Sequence, residues 1–270
     1  MAITISILNE KGGVGKTTTC SSLGSILSSM SYKVVMLDLD PQNDLTLCSP
    51  IDPNPDINLF SSLFVHHKPK GVKINDHLIM IPGSNQLQPL NFVDKLKLDL
   101  EYQFENPRLI LHQFLQPLQE KCDFIFMDCP PNQEIVVQNA LAASDYALIP
   151  TVPHSFSLNG INSILQLIQR FRKLNSTIEP LGILMNCYDQ RNSIDQAVWE
   201  MCQEEYPNLI FNTPIRINTK MKEHTHLGIE ITEYAKQLQE KRIPQKFSGY
   251  EDFKEVIKEM LNRLKLEVHV

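Results

Sequence analysis

An apolar run that leads into a glycine-rich turn constrains the fold of this chain more than any other feature. Ile3–Leu8 is apolar in character, and after two further residues the chain reads Lys-Gly-Gly-Val-Gly-Lys-Thr-Thr at positions 11–18. Glycines let successive backbone N–H groups turn toward one anion, and a following helix adds its positive N-terminal end. Lys16 can then reach the outer phosphates of a nucleotide, and the Thr17 hydroxyl can join the ligands of Mg²⁺. The pattern therefore predicts a strand, a phosphate-binding loop and a helix, in that order.

Length and composition fit a chain that folds around one large core. The 270 residues are 42% hydrophobic and 21% charged, and no Gly/Ser-rich or charge-rich linker divides them. We therefore expect a single domain over residues 1–270. The net charge of −6 argues against a protein that binds nucleic acid over its whole surface, but it permits a local basic patch. No apolar run approaches the ~20 residues that span a bilayer and no signal peptide is recognisable, so a cytoplasmic location is expected.

The cysteines give no sign of a metal site or a disulfide framework. None forms a CxxC pair or a zinc-binding spacing, so we expect small buried thiols in a reducing cytosol. They are Cys20, Cys48, Cys122, Cys129, Cys187 and Cys202. His224 and His226 are a weak metal signal that ordinary surface histidines explain.

Strand-like and helical segments alternate along the chain. This alternation predicts an α/β fold with a mostly parallel, twisted sheet and helices on both faces. The predicted strands are Ile3–Leu8, Val34–Leu39, Leu78–Ile81, Phe124–Met127, Tyr146–Pro150 and Leu181–Met185. The predicted helices lie near 16–30, 107–120, 134–143, 157–174, 193–205, 228–239 and 250–264. Residues 49–58 are rich in proline and are expected to form a loop, whereas 85–105 remain unassigned.

Aspartates follow two of the predicted strands, at the edge of a parallel sheet where ligands bind. Asp38 and Asp40 end the second strand, and Asp128 follows the fourth. Mg²⁺ prefers hard oxygen ligands and keeps several waters, so a carboxylate is expected near Thr17. Asp128 occupies a Walker B position and is predicted to hold a metal-bound water, with Asp38 supporting the metal shell. Aspartates also cap strand ends for purely structural reasons, but three beside one phosphate loop favour a metal site.

The glycine loop departs from the ordinary Walker A sequence. The first glycine of Gly-x-x-x-x-Gly-Lys-Ser/Thr would fall at position 10, which is Glu10, and an extra lysine, Lys11, opens the loop. This deviant Walker A resembles that of the ParA/MinD group of ATPases. The resemblance implies a P-loop NTPase fold and ATP binding by Lys11, Gly12, Gly13, Val14, Gly15, Lys16, Thr17 and Thr18. A plain Gly-Gly turn with two solvated lysines is the bland alternative, and the order of strand, loop and helix argues against it.

The resemblance extends beyond the loop. Residues 37–42, Leu-Asp-Leu-Asp-Pro-Gln, are similar to the ParA switch I segment, which implies that Asp40 orients or deprotonates the attacking water. In the family, the lysine at the Lys11 position reaches the nucleotide of a second subunit, so an ATP-dependent homodimer is implied. Lys11, Lys16 and Asp40 are therefore the predicted catalytic residues. Residues 49–110 are the poorly matched part of the chain.

The family resemblance also suggests a base contact and a DNA-binding surface. Asn186 ends a strand similar to the family's base-side strand, and its amide offers a donor and an acceptor to adenine. An ordinary loop asparagine explains this position nearly as well. The candidate DNA contacts are Arg191, Arg216, Lys220 and Lys222, three of them in a stretch without acidic residues. In the family, two DNA-binding residues of this stretch are usually arginines, whereas the aligned positions of this chain are Ile217 and Lys220. Scattered surface charge is the alternative.

Other nucleotide-switched proteins are alternatives to a DNA-partition ATPase. MinD-type proteins carry a C-terminal membrane helix, but the polar face of residues 250–264 mixes acids with lysines, so we expect a packed helix and no membrane contact. The nitrogenase iron protein holds an iron–sulfur cluster between subunits, and Cys129 has no recognisable partner for that role. A switched scaffold that positions a non-DNA cargo stays open.

Taken together, the resemblance implies a ParA-type partition ATPase of the short form, without a DNA-reading module before the P-loop. It implies hydrolysis of ATP to ADP and phosphate with Mg²⁺, weak in the isolated chain and stimulated by a ParB-like centromere-binding protein. The ATP dimer is expected to bind DNA without sequence preference and so to associate with the nucleoid.

Overall fold

The computed structural model describes residues 1–52, 56–88, 106–154, 156–241 and 247–266. A single sheet runs through these residues. Its strands are β1 (Ile3–Ile7), β2 (Val34–Asp38), β3 (Val72–Asn75), β4 (Leu78–Ile81), β5 (Phe124–Asp128), β6 (Tyr146–Thr151) and β7 (Glu179–Met185). They are ordered β3-β4-β2-β5-β1-β6-β7, and every pairing is parallel except that of β3 with β4. The predicted α/β fold with a mostly parallel sheet is confirmed.

Helices cover both faces of this sheet. They are α1 (Lys16–Ser29), α2 (Asp44–Leu47), α3 (Leu59–Phe64), α4 (Ile110–Leu115), α5 (Ile135–Ala143), α6 (Ser157–Phe171), α7 (Ser193–Glu205), α8 (Thr219–His226), α9 (Ile231–Glu240) and α10 (Ser248–Arg263). Helices α1, α8, α9 and α10 contribute to the core on one face, and α3 to α7 contribute to the core on the other. Because both faces are buried, the strands read as continuous apolar runs.

Alternate residues of each strand enter opposite cores. Val34 and Met36 of β2 belong to the core beneath α1, whereas Val35 and Leu37 belong to the core beneath α5 and α6. This follows from the two-residue repeat of an extended chain, in which successive side chains point to opposite faces.

Several elements differ from the sequence prediction. The short edge strand β3 was not predicted, because Val-Lys-Ile-Asn is too short and too polar to give a strand signal. Helix α8 was also missed, and the helix predicted at 228–239 begins later, at Ile231. Gly228 separates the two helices with a left-handed φ of 62°, a conformation that glycine adopts without strain.

The remaining predicted segments agree more closely. The helix expected at 107–120 is shorter, since α4 is followed by a 3₁₀ turn, Gln116–Leu118, that contains Pro117. The described parts of the predicted 49–58 loop contain no helix or strand. Most of the unassigned stretch, residues 89–105, lies outside the described residues. None of the helices in the described ranges is both long enough and apolar enough to cross a membrane.

Candidate active site

Three neighbouring strands deliver the predicted site residues to one edge of the sheet. In the strand register, Ile7 at the end of β1 lies opposite Asp128 of β5. Asp38 at the end of β2 lies opposite the same Asp128 on its other side. The glycine loop continues from β1, so the loop and two predicted metal-binding carboxylates meet at one place.

The loop conformation depends on two glycines. Gly13 and Gly15 have φ values of 73° and 86°, in the left-handed region that disfavours side chains. A Cβ atom added to Gly15 would also lie only 2.6 Å from the side-chain nitrogen of Asn186. Helix α1 begins at the next residue, Lys16. Its unpaired N–H groups and positive end therefore face the turn, as an anion site requires.

The Thr17 hydroxyl and the Asp128 carboxylate form the centre of this edge. Thr17 Oγ1 donates a hydrogen bond of 2.7 Å to Asp128 Oδ2. The other oxygen, Asp128 Oδ1, is buried without a hydrogen-bond partner among the described residues. Burial and the nearby Asp38 raise the pKa of Asp128, while Thr17 and Lys16 oppose that shift. A buried carboxylate oxygen with no partner is costly, and a cation or its bound water would satisfy it. The donor set therefore fits Mg²⁺ beside a nucleotide.

Asp38 is satisfied by protein groups instead. Its Oδ2 accepts hydrogen bonds from the backbone N–H and the hydroxyl of Thr46, at 2.9 and 2.7 Å, and its Oδ1 accepts one from the Asp40 N–H at 3.1 Å. Burial raises the pKa of Asp38 to about 6, and these hydrogen bonds work against the rise. Asp38 thus fixes the segment that carries Asp40, while its predicted support of the metal shell stays a prediction. Asp40 is half-buried, and its carboxylate accepts a hydrogen bond from Gln42 N–H at 2.9 Å.

The two lysines of the loop occupy different surroundings. Lys16 is buried, and its ammonium group donates to the carbonyl oxygen of Lys11 at 3.1 Å. Burial lowers the pKa of Lys16, and Asp128 opposes the change. The ammonium group of Lys11 lies 5.9 Å from the ring centre of Phe156, an aromatic side chain that is 61% exposed. Lys16 therefore points into the site, and Lys11 lies at its open mouth.

Asn186 braces the loop from the end of β7. Its side-chain nitrogen donates to the Val14 carbonyl at 2.8 Å and lies 3.2 Å from the Thr19 hydroxyl. Its side-chain oxygen is buried without a partner among the described residues. That oxygen stays available as an acceptor, and the adenine contact stays a prediction.

A cleft of about 460 Å³ lies beside Asn186 and the glycine loop, and its size suits a nucleoside. Its far wall comes from α8 and the residues before it, including Met221 and Thr225. The sequence analysis missed this wall because it missed α8. The available signal was Asn218, whose side chain accepts the Lys220 N–H at 2.8 Å and so caps the helix.

Three of the four predicted DNA-binding residues are engaged in ion pairs. The Arg216 guanidinium binds both carboxylate oxygens of Asp252, with Nε at 3.0 and 3.1 Å. The other two pairs, Arg191 with Asp189 and Lys220 with Glu223, are each 2.8 Å long. Lys222 is exposed and makes no salt bridge within the described ranges. Arg216 and Lys222 also line the nucleoside-sized cleft, a position that the sequence analysis did not predict.

Among the described residues, the cysteines and histidines do not form a cluster of their own. Cys20, Cys122, Cys129 and Cys202 are buried as expected, but Cys187 is exposed and Cys48 is half-buried, which differs from the burial expected for all six. His224 is buried, so the surface position expected for it is wrong, and its Nδ1 lies 3.1 Å from the Ile229 carbonyl oxygen. No group of three or more His, Cys, Asp or Glu in the described part of the chain is placed to hold a metal. Mg²⁺ at Thr17 and Asp128 would therefore need phosphate oxygens and waters as further ligands.

Known proteins resemble this chain over most of its length. A family model described as an AAA domain matches residues 2–180. The chromosome-partitioning ATPase Soj of Treponema pallidum is 31% identical over 240 residues, which cover 88% of this chain and 92% of that protein. The sporulation initiation inhibitor protein Soj of Bacillus subtilis is 28% identical over 239 residues, covering 85% and 90%.

Solved structures support the fold. Apo McdA of Cyanothece superposes with a TM-score of 0.79 at 23% identity, covering 97% of this chain and 100% of that one. MinD of Pyrococcus horikoshii, complexed with Mg-ADP, has a TM-score of 0.74 at 22% identity, with coverage of 99% and 100%. The family model spans more than half of this sequence, and the Treponema relative is alike over most of it. This chain belongs to the ParA family of partition ATPases.

Proposed function

We propose that this protein binds ATP with Mg²⁺, hydrolyses it to ADP and phosphate, and uses the nucleotide state to control dimerisation and DNA binding. The observation that carries the proposal is the Thr17–Asp128 pair at the start of α1, with one buried carboxylate oxygen free to accept. An unsatisfied buried oxygen destabilises the folded chain, so this arrangement does not serve stability. It is useful when a cation and a triphosphate occupy the loop.

Binding would use the backbone of the glycine loop and the start of α1. The N–H groups of residues 12–18 would face the phosphates, and Lys16 would exchange its bond to the Lys11 carbonyl for a phosphate oxygen. Thr17 and Asp128 would hold Mg²⁺, which when bound neutralises phosphate charge. The cleft between Asn186 and α8 would receive the nucleoside.

Hydrolysis would depend on the segment that Asp38 fixes. Asp40 would orient a water in line with the terminal phosphate and accept its proton, while Lys16 neutralises charge on the transferring group. Phosphoryl transfer needs positioning and positive charge more than covalent chemistry. We propose slow turnover in the isolated chain, because Lys11 lies over Phe156 at the mouth and not over its own loop.

Lys11 is half-buried at the mouth of the site, beside the exposed ring of Phe156, and this position supports its predicted role in a partner's site. A lysine held by a cation–π contact of modest strength is released easily when a partner's phosphates offer a better interaction. We propose a symmetric ATP dimer in which each Lys11 contacts the other subunit's nucleotide. A ParB-like centromere-binding protein is proposed as the stimulating partner, in keeping with the chromosome-partitioning role of the Treponema Soj relative.

DNA binding is proposed for Arg191, Arg216, Lys220 and Lys222, with two copies of the set in each dimer. Three of these side chains would have to share or exchange a carboxylate partner with a phosphate. Exposed ion pairs contribute little net stability, so Arg191 can exchange its carboxylate partner for a phosphate at small cost. Binding should weaken steeply with salt because it depends on counterion release.

A gel-shift titration with arbitrary duplex DNA tests the proposal. ATP with Mg²⁺ should give a retarded complex that ADP does not give. The double variant R191E/K222E should weaken the complex about tenfold or more, while R172E/K258E, with the same change in charge elsewhere, should change it little. Arg216 is best changed to Gln, because Glu beside the buried Asp252 would place two carboxylates together. An ATP dimer that ignores DNA at low salt would instead favour the positioning of another cargo.

A further inference from the structure

A groove on the α5 and α6 side of the sheet has no part in the proposed ATPase reaction. Its volume is about 470 Å³, within the ~300–1,000 Å³ typical of binding pockets. Its floor is apolar and consists of Leu167, Phe171 and Leu174, at the C-terminal end of α6 and just beyond it. Leu167 is buried, whereas Phe171 and Leu174 are partly open to solvent.

The rim of the groove carries unneutralised positive charge. Arg108 stands on one wall, and Arg170 and Lys173 stand on the other. All three are exposed, and none makes a salt bridge within the described ranges. Arg172, between two of them in sequence, is paired with Glu179. The chain has a net charge of −6, so three uncompensated cations around one groove depart from its overall balance.

We propose that this groove is a docking surface for an acidic amphipathic segment of a partner protein. Cations on both walls of an apolar floor match a helix or extended segment with an apolar stripe flanked by Asp and Glu. Nucleic acid fits less well, because a phosphate backbone satisfies the cations but leaves the floor unfilled. The groove shares no lining residue with the nucleoside-sized cleft, so binding of a partner to it can be tested without ATP.

A partner in the groove would also contact a residue linked to the glycine loop. Gln133 lines the groove, and its side-chain amide donates to the carboxylate of Glu10. The Ser163 hydroxyl donates to the same carboxylate at 2.7 Å. Glu10 directly precedes Lys11, so the docking surface and the mouth of the proposed nucleotide site share a continuous set of contacts.

Fluorescence anisotropy with a labelled peptide tests the proposal on the full chain. The probe is a helical peptide of Leu and Glu with leucines at every third or fourth position, and its control is a shuffled peptide of the same composition. We expect the patterned peptide to bind more tightly than the control and to weaken as salt is raised. The variant R170E/K173E should lose about tenfold or more in affinity, whereas R172E should change it by less than about twofold.

The comparison of variants separates docking from nonspecific charge. All substituted residues are exposed, and equal thermal midpoints will show that the variants fold. Equal binding of patterned and shuffled peptides, or an equal loss in R172E, would overturn the proposal. So would displacement of the peptide by duplex DNA together with loss of DNA binding in R170E/K173E, since that result assigns the groove to nucleic acid.

Discussion

Replacing Gly15 with Ala is a direct test of the loop geometry. At a φ of 86° an alanine costs about 1–2 kcal/mol relative to glycine. Its Cβ would lie 2.6 Å from the Asn186 side-chain nitrogen, so that side chain must move. Asn186 is buried and bonded to Val14 and Thr19, and each lost bond costs about 1 kcal/mol. The sum is roughly 2–4 kcal/mol against the native loop, the lower end for the loss of one of these bonds and the upper end for the loss of both.

That energy should appear mainly in nucleotide binding, because a loop that relaxes away from its native turn no longer directs its N–H groups at the phosphates. We expect the affinity for a fluorescent ATP analogue with Mg²⁺ to fall by roughly 30- to 700-fold. Gly12 provides the matched control, since its added Cβ meets nothing within 4 Å and its φ is not in the left-handed region. Gly12→Ala should leave the affinity within a few-fold.

The steric part can be separated from the backbone part. In the N186A background the added Cβ at position 15 no longer collides with an amide side chain, while the unfavourable φ remains. G15A should therefore reduce ATP affinity less in the N186A background than in the native chain. Unchanged ATP binding in G15A would refute the assignment of this turn as the phosphate site, and an equal loss in G12A would refute the explanation by φ and by the contact with Asn186.

Four further predictions follow from the site and the fold. Lys11→Ala should bind ATP yet remain monomeric in sedimentation velocity, and a dimer would remove the proposed cross-subunit role. Asp40→Ala should still dimerise with ATP but release phosphate at least ~100-fold more slowly, and retained turnover would contradict its role with water. Arg263→Met should lower the free energy of unfolding by about 3 kcal/mol or more, because three backbone carbonyls that now accept hydrogen bonds of 2.6–2.9 Å would lose their donor. Lys258→Met, on the same helix, should leave the free energy of unfolding nearly unchanged. Finally, burial raises the pKa of Asp38 to about 6, so Asp38 loses its proton at a lower pH in the unfolded chain than in the folded one. The free energy of unfolding of the nucleotide-free protein should therefore fall by roughly 2–3 kcal/mol as pH rises from about 4 to 6. Chemical denaturation at several pH values measures this loss, and Asp38→Asn should reduce it.

The parts of the site that sequence predicts are those fixed by local pattern. The glycine loop is contiguous, so residues 11–18 could be assigned as one unit. The convergence of Asp38 and Asp128 could also be predicted, because parallel strands bring their carboxyl ends to one edge. The order of the strands was not needed for that conclusion.

The parts that sequence could not predict depend on contacts between distant residues. Asn186 reaches the Val14 carbonyl across 172 positions, so its bracing role has no local signature. Arg216 looks like a free surface cation in sequence, yet it is held by Asp252, 36 positions away. Charge pairing of this kind is decided by tertiary packing, which an acid-free stretch around Arg216 cannot reveal.

The two buried aspartates explain how one strand edge can serve both binding and hydrolysis. Asp38 and Asp128 lie opposite each other in adjacent strands, where two ionised carboxylates would repel. The fold resolves this unequally: Asp38 accepts three hydrogen bonds from the segment that follows it, while Asp128 accepts one from Thr17 and keeps an open oxygen. Charge added by a cation is therefore most stabilising on the Asp128 side. Since Asp38 anchors the Asp40 N–H, the proposed water-positioning carboxylate is held in place whether or not a cation is bound.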